Sequence, residues 1–351
     1  MTTVDASTAD ALDTLVQRTD FLECVLDGPR AIVELGDELD VSRSTVERTM
    51  NALETMGFVE ACEQGYRTTS IGEVVTTDVL ALIDSVETAN GDEGGNGAIP
   101  AREVVTTVSS RRQLLESLRA NPKDKRTLVA EVELSRSTVD RSVRELQTQG
   151  VIEYRDGKLA VTPVGEVALE GVAEMTATIE VGQRLKPVLQ WVPPGTLDLD
   201  LQLLANAEIV LPEDGNPWAM VDRHVKMLKQ VIKGQAILPL TGLHACEVLH
   251  DRVVNEGAVF ECVVNRGVAE TFETNPQYAG LVEEMIATGR FTVYEYDGEL
   301  PYFVGVFDEM AQLGVDEDGA PRAVVETDSP EVAAWAAGKY DEYRQHSQKL
   351  S

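Results

Sequence analysis

The sequence predicts a mixed α+β, multidomain chain: two mostly helical units in tandem, each with a short β wing, followed by an α/β domain. Three observations carry this. The pentapeptide SRSTV occurs at Ser42–Val46 and again at Ser135–Val139, and the shift between them superposes far more than five residues. Each copy shows helical apolar periodicity that stops at a glycine and gives way to short strand-like runs. Beyond about residue 185, strand-like and helix-like stretches alternate instead. A length of 351 residues fits two or three domains.

The repeat sets the frame. VSRSTVERTMNALETMGFVE (Val41–Glu60) lies over LSRSTVDRSVRELQTQGVIE (Leu134–Glu153) without a gap. Upstream, Leu22, Glu23 and Pro29 fall on Leu115, Glu116 and Pro122; downstream, IGEV (Ile71–Val74) falls on VGEV (Val164–Val167). A match of this length is one domain present twice. In the first copy Phe21, Leu22 and Val25 give an apolar helical face, ended by Asp27–Pro29. A short helix with Ile32, Val33 and Leu35 follows, then a turn at Asp40. Ser42 is a natural cap for the third helix, because its hydroxyl accepts from free backbone N–H groups. Val46, Met50 and Leu53 share one face of that helix, leaving Arg43, Glu47, Arg48 and Asn51 outside it. Gly57 stops it, where glycine takes the left-handed conformation cheaply. FVEACEQGYRTTS then reads as two short strands about Gly65.

The boundaries follow from composition. The first copy occupies 1–88, a Gly-rich polar linker (ANGDEGGNGAIPA) 89–101, the second copy 102–184 and the last domain 185–351. No comparable linker follows the second copy; Val164–Leu185 reads as a helix leaving the wing, and WVPPGT (Trp191–Thr196) marks the entry to the last domain.

Three helices and a hairpin, carried by SRSTVERTMNALETMGFVE and SRSTVDRSVRELQTQGVIE, resemble the winged helix-turn-helix. That resemblance implies a third helix laid in the major groove of duplex DNA. It nominates Ser135, Arg136, Ser137, Thr138, Arg141 and Arg144 on the second copy's third helix, with Arg155 and Lys158 at its wing. The matching positions of the first copy are Ser42, Arg43, Ser44, Thr45 and Arg48. The alternative is a winged helix used only as a protein–protein adaptor.

Charge separates the copies. The chain carries 60 Asp and Glu against 30 Lys and Arg, a net −30 with pI about 4.4, where a DNA binder is expected to show a basic footprint. Abundant acid and scarce lysine resemble proteins of a salt-loaded haloarchaeal cytoplasm. The positive charge is also unevenly spread: Ser109–Ala160 balances at +3, Asp10–Ala81 at −10. Phosphate contact needs cations at the contact surface whatever the net charge, so the second copy is expected to be the principal reader. Cys24, Cys62, Cys246 and Cys262 are scattered without a C-x-x-C pair, which points to a reducing interior without a zinc or disulfide framework. No run resembles a signal peptide or a membrane span, and a cytoplasmic protein is expected.

In the last domain, strands are expected at Ala207–Pro212, Ala236–Thr241, Ala258–Val264, Phe291–Tyr296, Tyr302–Phe307 and Arg322–Thr327. Helices are expected at Val221–Ile232, Cys246–Asn255, Gln277–Thr288 and Pro330–Gln345. The stretches LLANAEIVLPEDGNPWAMVDRHVKML (Leu203–Leu228), VVNEGAVFECVV (Val253–Val264), ELPYFVGVFDE (Glu299–Glu309) and SPEVAAWAAGKYDEYR (Ser329–Arg344) resemble a family of archaeal transcription regulators. The C-terminal domain of that family is named for filament-length control in methanogens. The family's usual single winged helix contrasts with the tandem pair here. The resemblance implies a DNA-binding regulator with a sensor or dimerisation domain, hence a homodimer and a small-molecule effector.

The layout is also similar to half of a phospholipase-D-like domain. Those hydrolases use His-x-Lys followed by Asp, normally twice; here His224 and Lys226 are present but Val231 stands at the carboxylate position and there is no second copy. Without the nucleophile–acid pair no enzyme is expected, and His224 reads as a polar residue near a helix start. His244, Cys246, Glu247 and His250 invite a metal reading, but two histidines six apart do not meet on one helix. Trp335, Tyr340 and Tyr343 read as core of the final helix. No cofactor or metal is expected. Ligands of open α/β sheets gather beyond the carboxyl ends of strands, which nominates Thr241, Asn265 and Arg266 for an effector, the arginine suiting a carboxylate or phosphate.

Overall fold

The computed structural model describes residues 6–91, 99–132 and 134–350, in two compact units, 1–183 and 184–351. The first unit holds the repeat. Its first copy runs α1 (Ala6–Gln17), α2 (Thr19–Leu26), α3 (Ile32–Glu38), α4 (Arg43–Met56), β1 (Val59–Cys62), β2 (Gly65–Thr68) and α5 (Ser70–Asn90). The second runs α6 (Ala101–Ser110), α7 (Arg112–Ala120), α8 (Lys125–Glu131), α9 (Arg136–Thr148), β3 (Ile152–Arg155), β4 (Lys158–Val161) and α10 (Pro163–Leu189). Of the expected linker, Ala89 and Asn90 close α5, Ala101 opens α6, and residues 92–98 lie outside the described residues.

The same bonds recur in both copies. Gly57 closes α4 at φ 82°, and Gly150 after α9 has φ 68°. Thr69 donates its hydroxyl to the Gly57 carbonyl and accepts from the Gly72 N–H; Thr162 does the same with Gly150 and Gly165, each hydroxyl–carbonyl distance being 2.6 Å. The long helix after each hairpin crosses the chain at the glycine of IGEV or VGEV. A Cβ on Gly72 would lie 1.7 Å from the Phe58 carbonyl oxygen, and one on Gly165 2.2 Å from that of Val151. That close crossing explains a motif whose purpose periodicity does not reveal. An isolated backbone bridge also ties each hairpin to the chain upstream, Arg30 to Tyr66 and Lys123 to Leu159.

The copies meet through equivalent elements: α1 packs on α6, its counterpart in the repeat, and Asp20 pairs with Arg102 at 2.5 Å. Ala11, Leu12, Leu15 and Val16 of α1 and Val104, Val105 and Val108 of α6 are buried. The apolar spacing of both segments could have found these helices, which the sequence reading left unassigned.

The second unit is an eight-stranded mixed sheet. Its strands are β5 (Glu208–Val210), β6 (Lys233–Leu238), β7 (Val259–Asn265), β8 (Phe291–Tyr296), β9 (Phe303–Phe307), β10 (Met310–Glu317), β11 (Ala320–Thr327) and β12 (Ser347–Lys349), in the order β12-β8-β7-β6-β9-β10-β11-β5. β6, β7 and β8 are parallel, and every other pairing is antiparallel. Helices α11 (Ala219–Leu228), α12 (Leu243–Val254), α13 (Arg266–Thr274), α14 (Pro276–Ala287) and α15 (Pro330–Gln345) cover the sheet. The six expected strands and four expected helices are present within a few residues. The sequence reading missed β10, β12 and α13. β10 was hidden because Gln312 and Gly314 interrupt its apolar run; Gln312 is buried at 1% exposure with both its amide oxygen and its amide nitrogen hydrogen-bonded.

Candidate nucleic-acid interface

Each third helix begins with the same hydroxyl cluster. Ser42 Oγ accepts from the Thr45 N–H at 3.3 Å and lies 3.0 and 2.9 Å from the hydroxyls of Ser44 and Thr45. Ser135 Oγ accepts from Thr138 N–H at 3.2 Å and lies 2.9 and 2.8 Å from those of Ser137 and Thr138. Three hydroxyls beside the free N–H groups of a helix start suit a phosphate oxygen. Val46, Met50 and Leu53, and in the second copy Val139, Val143 and Leu146, fix the opposite face in the core.

The copies differ in what happens to their cations. Arg43 Nε donates to Glu47 Oε1 at 2.7 Å, one helical turn on. The same spacing separates Arg136 from Asp140, yet Asp140 is held by Lys125 of α8, whose ammonium keeps that carboxyl below its ordinary pKa. Arg136, Arg141 and Arg144 are exposed and form no ion pair with any described residue. Arg126, exposed on α8, is equally free and was missed by the sequence reading. At the wing, Arg155 pairs with Glu153 at 2.5 Å and Lys158 is exposed. They flank a tight turn in which Asp156 (φ 53°) and Gly157 (φ 75°) are left-handed. Arg48 of the first copy is exposed and unpaired among the described residues.

The repeat register sharpens the contrast. Where the second copy has Lys125, Arg126, Arg144, Arg155 and Lys158, the first has Ile32, Val33, Asn51, Cys62 and Gly65. Where the first has Glu34, Asp37 and Glu54, the second has Thr127, Ala130 and Gln147. Most of these exchanges favour positive charge in the second copy, although Arg67 faces Ala160 and Ala31 and Ala52 face Asp124 and Glu145.

In the second unit Thr241 lines a cavity of about 330 Å³. Asn265 does not reach it. Its amide donates to the Pro239 carbonyl at 2.7 Å and its Oδ1 caps α13 through the Val268 N–H at 2.9 Å. Arg266 is 74% exposed and paired with Glu270 on the next turn. His224 does line the cavity, although its sequence context gave it no role. Its Nδ1 lies 2.8 Å from Gln312 Oε1, 88 residues away, and burial pushes its pKa below the ordinary imidazole value. Val231, at the position where those hydrolases carry Asp, is buried in the core, and Lys226 is exposed. His244 leans on Glu247 (3.7 Å), His250 on Glu284 (2.7 Å), and Cys246 is buried. Among the described residues no group of three His, Cys, Asp or Glu could hold a metal ion. Trp335 donates to Asp198 at 2.9 Å, buried Tyr340 to Glu261 at 3.1 Å, and Tyr343 meets Tyr296 edge-on. Among the described residues no helix is long and apolar enough to cross a membrane.

Comparison with known proteins bears on both units. Residues 217–346 match the family model of the methanogenesis regulatory protein FilR1, middle domain. One further model, the HVO_A0261 N-terminal domain, matches twice, over residues 6–91 and 101–184. No curated protein sequence matches the chain. Among solved structures, TrmBL2, described as an archaeal chromatin protein with a novel mode of DNA binding, is 11% identical, covering 76% of this chain and 99% of its own, with a TM-score of 0.33. The phospholipase D family member Nuc from Salmonella typhimurium is also 11% identical, covering 41% and 97%, with a TM-score of 0.33. NucT from Helicobacter pylori covers 41% and 99% at the same identity and TM-score. At that score none of the three structures decides anything about this chain.

Proposed function

We propose that the chain is a transcription regulator with a FilR1-like domain and that it reads duplex DNA in a sequence-specific way through tandem winged helix-turn-helix units. The observation that carries the proposal is the face of α9. Three arginines with no ion pair among the described residues, Arg136, Arg141 and Arg144, stand beside the Ser135–Ser137–Thr138 hydroxyls on the outer side of a third helix whose inner side is core. Guanidinium groups there match both guanine edges and phosphates. The second copy is the principal reader, supported by Arg126 and by the wing cations Arg155 and Lys158. The first copy, with Arg43 engaged by Glu47, assists through Ser42, Ser44, Thr45 and Arg48 or serves assembly.

Each chain brings two third helices, joined through α1 and α6, so a homodimer is not required to supply two readers. The number of chains bound per operator duplex distinguishes this from the symmetric homodimer that the family resemblance implies. The FilR1-like domain serves as the effector sensor. The protein works in the cytoplasm, in keeping with its four free cysteines, and it is not an enzyme. Footprinting on genomic DNA tests the proposal. Protection of a defined site is expected; no protection at any salt concentration favours a protein–protein adaptor.

A further inference from the structure

The cavity of about 330 Å³ in the second unit is walled by α11, α12 and the sheet, and its lining is chiefly apolar: Leu228, Leu249, Phe260, Phe272, Met285 and Phe291 are among the side chains. That size lies at the small end of ordinary ligand pockets, roughly 300–1,000 Å³. No lysine or arginine lines it, and the one lining carboxylate is Asp316, which accepts from the Gly319 N–H at 2.9 Å. An anionic ligand therefore meets no countercharge and one like charge.

Besides Trp218, Thr241 and Asp316, the wall carries His224, whose protonation is set by a chain of bonds. Arg223 donates to Glu326 Oε1 at 2.9 Å through Nε, and Gln312 donates its amide N–H to Glu326 Oε2 at 2.6 Å. The carboxylate can only accept, so it fixes which way the Gln312 amide points. Gln312 then turns its oxygen to His224 Nδ1 at 2.8 Å, and that oxygen also can only accept. The imidazole proton therefore sits on Nδ1. Nε2 is left as a lone-pair acceptor without a hydrogen bond to any described residue, on a ring that lines the cavity.

We propose that this cavity binds a neutral aromatic alcohol, its ring among the phenylalanine and leucine side chains and its hydroxyl donating to His224 Nε2. The inference rests on the reading of this domain as an effector sensor and names the chemical class sensed. It differs from the carboxylate or phosphate that Arg266 suggests from sequence, since Arg266 is outside the cavity.

Three probes built on one ring system test it on the full chain: 2-naphthol, naphthalene and 2-naphthoate, with affinity measured by calorimetry. 2-Naphthol is expected to bind about tenfold more tightly than naphthalene, the worth of one buried hydrogen bond, and 2-naphthoate not to bind. His224→Phe should leave naphthalene binding in place and erase the preference for the alcohol. ¹⁵N spectra of the unaltered protein supply a check that does not depend on the variant folding: the His224 Nε2 resonance should move with 2-naphthol and stay with 2-naphthoate. Equal affinity for the first two probes, tighter binding of the carboxylate, or no binding of any probe would overturn the proposal. Duplex-DNA binding is measured on the same sample without probe. A protein that binds DNA but no probe loses the cavity proposal alone, and one that binds 2-naphthol but no DNA loses the regulator reading instead.

Discussion

The two copies of the repeat share a backbone and differ in surface. Their caps, threonine pins and glycine crossings coincide bond for bond, whereas five cations of the second copy face neutral residues in the first. One pair shows how small the difference in mechanism is. Arg43 and Arg136 each have an acid four residues on, but Lys125 occupies Asp140 while Ile32, its counterpart, cannot occupy Glu47. The availability of an arginine is decided on the neighbouring helix.

The largest expected effect tests the shared part. Gly72→Ala and Gly165→Ala each drive a Cβ into a carbonyl oxygen and should destabilise their own copy by about 3 kcal/mol or more. Thermal unfolding of both variants checks this; a silent Gly72→Ala would mean the first copy does not share the crossing. Next come the arginines. Arg136→Ala or Arg141→Ala should weaken binding to a specific duplex about tenfold or more, the range of one lost guanine contact. Arg43→Ala and Arg48→Ala should cost less. Because salt screens much of the phosphate attraction, the loss should appear as relaxed preference between specific and scrambled duplexes. An equal or larger loss from the first-copy variants breaks the assignment of the reader. A smaller change works in the opposite direction: Asn51→Arg places on α4 the cation that Arg144 supplies on α9, and should tighten binding a few-fold, with a steeper salt dependence in a titration series. The smallest effect is expected of Lys125→Ala. It frees Asp140 to engage Arg136 as Glu47 engages Arg43, and should weaken binding roughly two- to threefold. Adding Asp140→Asn should restore affinity; if it does not, Lys125 acts by touching DNA itself.

What could be read from the sequence was local or repeated. Ser42 and Ser135 are legible because a cap is a short-range arrangement, and the duplication is legible because dense identity needs no structural inference. Pairings across the chain were not legible. His224 meets Gln312 at a separation of 88 residues and Arg223 meets Glu326 at 103, so nothing near His224 in the sequence marks it as part of a cavity wall. The same holds for Lys125 and Asp140, each unremarkable alone. Thr241 could be nominated because the end of a strand is a positional rule; Asn265 and Arg266 satisfy that rule equally, yet a helix cap and an i,i+4 pair claim them.

The crossing at Gly72 and Gly165 fixes the base of each wing through main-chain atoms and leaves the outer residues out of the bargain. A duplicated gene segment can therefore drift in its outer residues without jeopardising its scaffold. Positions buried in both copies vary without gaining charge, Met50 against Val143 and Phe58 against Val151, while outward positions change in charge. In this chain the drift has run far enough for matching stretches, 16–67 and 109–160, to balance at −6 and +3.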